Sequence, residues 1–266
     1  MDKMKIINKI AKEFSKLEYV DAVALSGSQT GLIHDERSDY DMYVYAQKSV
    51  PIDLRRQLAE TFTNKYEVGN TFFEDGDELN ITDEQGEKVG VDIMYRNLDW
   101  VKGEIDWVWR KHNAKVGYTT CFLHNVRTSK VLFDRNGEFQ KFIDELNMPF
   151  PQELKENIIA KNYPLLREKS ASYYEQIEFA IARNDFVSQN HRIAALLASY
   201  FDILFAINAQ THPGEKKLIA YAQKLCKTLP KNFQQDVEAT VKSVGNGNIL
   251  PTLNKLLDEL DIVLKQ

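Results

Sequence analysis

Only two cysteines, Cys121 and Cys226, occur in the 266 residues, and they lie far apart. That is too few for a disulfide framework and points to a reducing, cytoplasmic setting. No apolar run is long enough to span a bilayer, so no membrane partner is expected. The opening MDKMKIINKIAKEF alternates charged with apolar residues and lacks the continuous apolar segment of a signal peptide. A basic excess is missing as well. The 34 Lys and Arg face 39 Asp and Glu, for a formal net charge of −5, which argues against general nucleic-acid binding. The five histidines are scattered without zinc-ligand spacing. No Ser or Cys nucleophile motif stands with a partner His.

What is present is an ordinary globular composition, 43% hydrophobic and 27% charged, at a length that suits two modest domains. Ile6, Ile7, Ile10, Phe14 and Leu17 mark one face of an opening helix. Ala22 to Ser26 reads as a short strand ended by Gly27, and Asp39 to Ala46 as a second strand. Pro51 suits the first position of a helix continued by Leu54, Leu58 and Phe62. Phe72-Phe73, Glu74 to Asp77 and Leu79 to Ile81 read as a hairpin turning at Asp75-Gly76. Val89, Val91, Ile93 and Tyr95 alternate in a further strand. Trp100, Trp107 and Trp109, in a helical stretch from Asp99 to His112, are expected to be packing residues. Beyond Pro149 the strands stop, and helices are expected at about 152–169, 171–184, 187–210, 214–228, 231–244 and 249–264. The fold class is therefore α+β: an N-terminal mixed-sheet domain over 1–148 and an all-helical domain over 149–266.

Chemistry concentrates early. Asp39 and Asp41 project from one face of a strand, where Asp is disfavoured and like charges repel. A hard cation with oxygen ligands, such as Mg²⁺, resolves that conflict, and substrate phosphates complete its shell. The Gly27-Ser28 turn allows close backbone approach and offers donors to phosphate. Asp92 is the acid inside the apolar strand Val89–Tyr95 and a candidate third carboxylate. Glu74, Asp75, Asp77 and Glu78 could form an acidic lip for a cationic acceptor. His34, in the loop before the acid pair, could touch nucleotide.

Gly27-Ser28, ten intervening residues, then Asp39-Tyr40-Asp41-Met42 resembles the signature of the DNA polymerase β-like nucleotidyltransferases. The resemblance extends to small bacterial members, the aminoglycoside and lincosamide nucleotidyltransferases and relatives of the DUF4037 type, through Asp92-Ile93-Met94-Tyr95-Arg96. It covers about residues 22–95. It implies a Mg²⁺-dependent enzyme, with Mn²⁺ able to substitute, that moves a nucleoside monophosphate from ATP to a hydroxyl of a small-molecule acceptor, an antibiotic being one option. It implies catalytic and metal-binding roles for Asp39, Asp41 and Asp92, with Asp92 a ligand, a general base, or both. Gly27 and Ser28 would seat phosphates, and Lys216, in His212-Pro213-Gly214-Glu215-Lys216-Lys217-Leu218, would reach the triphosphate. Two rival readings are a regulatory or toxin–antitoxin-type protein acting on a protein partner, and an inactive nucleotide sensor. The additional helical half counts against the first, and the intact acids count against the second.

Overall fold

The computed structural model describes residues 3–33, 38–72, 74–83 and 85–265. The chain divides into two compact units, residues 1–106 with 125–148, and residues 107–124 with 149–266. The stretch 107–124 thus groups with the helical half.

In the first unit, α1 (Lys3–Ser15) leads to β1 (Val20–Ser26), a short 3-10 turn at Gly27–Gln29, and β2 (Tyr40–Ala46). Then come α2 (Ile52–Glu60), β3 (Tyr66–Asn70), β4 (Gly76–Thr82), β5 (Lys88–Arg96) and α3 (Leu98–Ile105). A π-helical turn at Asp106–Arg110 precedes α4 (Cys121–Thr128), and β6 (Lys130–Asp134) and α5 (Glu138–Leu146) complete the set. The strands form one six-stranded sheet in the order β3-β4-β5-β2-β1-β6. Among the described strands only β2 and β5 pair in parallel.

The core under this sheet follows from simple periodicity. The α1 stripe Ile6, Ile7, Ile10 and Phe14 packs against Val23 and Leu25 of β1, Met42 and Val44 of β2, and Val89, Val91 and Ile93 of β5. The other sheet face is covered as well, which the sequence reading did not anticipate. Tyr43 and Tyr45 are buried there, and Tyr45 lies 4.6 Å from the Phe139 ring of α5.

The predicted hairpin exists, but with a different turn. Gly76 is already the first residue of β4, and the strand entering the turn is β3. Phe73 lies outside the described residues. Of the three tryptophans, Trp109 is buried, whereas Trp100 is 47% and Trp107 40% exposed. The packing expectation therefore fails for two of them. Trp107 instead holds the Lys115 ammonium over its ring at 5.6 Å.

In the second unit, α6 (Gln152–Arg167), α7 (Tyr173–Ala182), α8 (Phe186–Ile207), α9 (Leu218–Leu225), α10 (Phe233–Lys242) and α11 (Ile249–Leu264) answer the six predicted helices. Central α8 buries Ile193, Leu196, Tyr200, Phe201, Leu204 and Phe205. The segment before α4 is fastened to this core by buried polar contacts. Gly117 N–H donates to Asn162 Oδ1 at 2.8 Å, and the Thr119 hydroxyl donates to Asp202 Oδ2 at 2.7 Å. No helix among the described residues is long and apolar enough to cross a membrane.

Candidate active site

Strand register builds the site. Ser26 of β1 stands opposite Asp41 of β2, Asp41 opposite Asp92 of β5, and Asp92 opposite Glu78 of β4. These four residues form one row across four strands, on the face turned away from the α1 core. Neighbouring strands lie about 4.8 Å apart, so successive side chains in such a row touch. Asp39 sits just before β2, one step along that face.

Two glycines make room for two of the carboxylates. A Cβ on Gly27, whose φ is +70°, would fall 1.8 Å from Asp41 Oδ2. A Cβ on Gly90 would fall 1.9 Å from Asp39 Oδ1. Any side chain at either position would displace an acid. Ser28 follows Gly27 in the 3-10 turn, which closes through Thr30 N–H donating to Gly27 O at 3.3 Å. Gln29 Nε2 donates to Ser38 O at 2.8 Å and ties this turn to the entry of β2. The Ser26 hydroxyl donates to Asn125 O at 3.1 Å, anchoring the strand end below it.

Beside the row lies a cavity of about 260 Å³ whose walls include Asp41, Tyr43, Asn70, Glu74, Glu78 and Asp92. Burial raises the Tyr43 phenol above its ordinary pKa; Arg96 opposes that shift, and Glu74 and Asp41 add to it. Tyr43 therefore stays a neutral hydroxyl in this wall. The Arg96 guanidinium stacks over the Tyr43 ring at 4.4 Å and bonds both oxygens of Glu74, at 2.9 and 3.0 Å.

The acidic lip expected from Glu74, Asp75, Asp77 and Glu78 does not form as one feature. Glu74 pairs with Arg96, while Asp75 and Asp77 pair with Arg55. Asp77 is buried on the opposite sheet face. Glu78 alone of the four joins the row of acids, with Asn70 Nδ2 donating to it at 3.1 Å. Sequence reasoning grouped Glu78 with its neighbours and passed over Gly90. Strict alternation along β4 was the available signal for the first. A glycine two residues before an intrastrand Asp was the signal for the second.

The structure thus brings Gly27, Asp41 and Asp92 together, with Ser28 in the adjoining turn and Asp39 against Gly90. Lys216 belongs to the second unit, exposed in the turn before α9. His34 lies outside the described residues. Among the described residues, no three His, Cys, Asp or Glu side chains are grouped so as to hold a metal ion. Two facing carboxylates still suit Mg²⁺, which usually takes one or two from protein and the remainder from water and phosphate.

No protein-family model and no curated protein matches the chain. Solved structures do. A nucleotidyltransferase-like protein from Exiguobacterium sibiricum is 13% identical, covers 98% of this chain and 74% of its own, and has a TM-score of 0.44. An aminoglycoside 6-adenyltransferase from Bacillus subtilis is 9% identical over 100% of this chain and 92% of its own, with a TM-score of 0.30. A spectinomycin adenyltransferase from Enterococcus faecialis, solved with ATP and spectinomycin, is 12% identical over 98% of both chains, also at 0.30. These likenesses are distant, and the chemistry below rests on the residues of this chain.

Proposed function

We propose that this protein is a nucleotidyltransferase that moves AMP from ATP to a hydroxyl of a small-molecule acceptor and releases pyrophosphate. The observation that carries this reading is the Asp41–Asp92 cross-strand pair, set against a turn where only glycine fits. The facing pair Asp41 and Asp92 would hold Mg²⁺, with Asp39 beside them and Mn²⁺ as a substitute. When bound, the ion supplies charge neutralisation and polarisation at the phosphates.

The residues of the chain do the rest. The Gly27-Ser28 turn offers backbone N–H groups and a hydroxyl to the β- and γ-phosphates. The acceptor hydroxyl attacks the α-phosphorus, the bond to the bridging oxygen breaks, and pyrophosphate departs. Asp92, which stands between Asp41 and Glu78 in the row, would accept the hydroxyl proton. Lys216 is assigned to the leaving pyrophosphate, where a cation offsets the developing charge.

The test is a transfer screen with α-labelled ATP, Mg²⁺, candidate alcohols and cell extract, read by mass spectrometry. Labelled product that depends on Mg²⁺ and is lost in Asp41→Asn supports the reading. A labelled protein would favour the protein-modifying rival. ATP binding without any product from any acceptor would favour the sensor.

A further inference from the structure

We infer that the acceptor side of this site extends along the sheet to Trp100 and takes an alcohol that carries a flat aromatic ring. This rests on the nucleotidyltransferase reading for the reacting end alone; the ring subsite stands on its own geometry. A second cavity, of about 450 Å³, is lined by Glu74, Tyr95, Arg96, Asn97 and Trp100. Glu74 is also a wall of the cavity beside Asp41 and Asp92. The two spaces share that side chain, and the inference has a single elongated molecule pass Glu74 to occupy both.

The far end is built for stacking. Arg96 lies between two aromatic rings, 4.4 Å from the Tyr43 centroid and 5.1 Å from that of Trp100. Trp100 is 47% exposed, so its indole extends this aromatic–cation–aromatic ladder towards solvent. A further flat ring continues the series by offset stacking. A sugar ring fits less well, because it needs polar partners around its rim. Several of the polar atoms here are engaged: both Glu74 oxygens accept from Arg96, the Tyr95 hydroxyl donates to Asp77 at 2.6 Å, and Asn97 Oδ1 accepts from Asp99 N–H at 2.6 Å.

The experiment uses the full chain labelled with 5-fluorotryptophan, the Trp100 fluorine resonance being assigned by its loss in Trp100→Phe. Phenyl β-D-glucoside and methyl β-D-glucoside are titrated separately. The inference expects the phenyl compound to shift the Trp100 resonance and the methyl compound to leave it in place. Trp100→Ala should keep its melting temperature and weaken binding of the phenyl compound about threefold to tenfold, the scale of one aromatic pair. No shift of Trp100 with either compound, or equal shifts with both, overturns the inference. The labelled-ATP assay runs in parallel with Asp41→Asn. A Trp100 response without nucleotide transfer would sink the reaction and leave the ring subsite, whereas transfer with a silent Trp100 would do the reverse.

Discussion

Asp77 and Glu78 are sequence neighbours on β4 that point to opposite faces of one sheet. Asp77 faces inward and is met by a built-in cation: Arg55 Nε lies 3.0 Å from Oδ1 and Nη2 lies 2.5 Å from it. The Tyr95 hydroxyl and Gly69 N–H complete its shell, and Arg55 also reaches Asp75 at 2.8 Å. Burial alone would lower the Arg55 pKa, but the bonds from Asp77 and Asp75 outweigh it and hold the guanidinium charged. Glu78 instead joins Asp92 and Asp41, acid beside acid. The chain evidently can neutralise a carboxylate where structure is the purpose. Lining up three acids on the other face brings like charges together, a repulsion that a ligand cation would relieve.

Charge removal on the two faces should therefore act in opposite directions. Arg55→Met leaves Asp75 and buried Asp77 without their guanidinium and should cost about 3–5 kcal/mol in urea unfolding. Asp92→Asn keeps shape and removes one charge from the row. Its melting temperature in chelator should equal or exceed that of the parent, while turnover falls roughly a hundredfold or more. The comparison breaks if Asp92→Asn melts clearly lower yet works normally, since Asp92 would then be a structural residue like Asp77. An Arg55→Met protein as stable as the parent would break it from the other side.

The two faces were unequally legible in the sequence. Gly27-Ser28, Asp39, Asp41 and Asp92 could be named because they interrupt apolar strands, where a carboxylate is conspicuous. Six C-terminal helices could be placed because a 3.6-residue period persists over ten or more residues. The region from 113 to 148 gave little, since β6 is only five residues, Lys130–Asp134. β3 was missed for a similar reason: Tyr66–Asn70 contains a Glu and a Gly. Nothing local in IDLRRQLAE links Arg55 to acids some 20 residues on. The opposition of Asp41, Asp92 and Glu78 depends on register, which turn geometry and core packing set together.

Asp202 offers a third treatment of a carboxylate and sharpens the comparison. It is buried in the helical unit and held by neutral donors, Thr119 N–H at 3.1 Å, the Thr119 hydroxyl and Asn162 Nδ2 at 3.3 Å. Burial pushes its pKa up to about 7, and those hydrogen bonds pull the other way without prevailing. A folded-state pKa above the unfolded value near 4 gives stability that is fully present at low pH. That stability is lost as the pH rises through about 7. The change is on the order of 4 kcal/mol between pH 4 and pH 7. Asp202→Asn should flatten this part of a stability–pH profile measured by urea unfolding. An unaltered slope in the variant would show that Asp202 is ionised and satisfied throughout.

The smallest effect is expected at Lys216, for which the resemblance implies a contact with the nucleotide. Arg55 is a permanent, buried cation. Lys216 is exposed in the turn before α9, so its removal touches little packing, and Lys216→Ala should leave the melting temperature nearly unchanged. If its ammonium meets the triphosphate, its loss removes one charge-assisted hydrogen bond, worth on the order of 1.5–3 kcal/mol. That corresponds to a roughly ten- to hundredfold fall in kcat/KM for ATP. Lys216→Arg should recover part of it, because charge matters more than shape at a phosphate approached by a flexible chain. The contrast with Arg55 then becomes measurable within one protein: removing the permanent cation costs stability, and removing the exposed one costs only nucleotide use. Unchanged kcat and KM in Lys216→Ala would make Lys216 an ordinary solvated lysine.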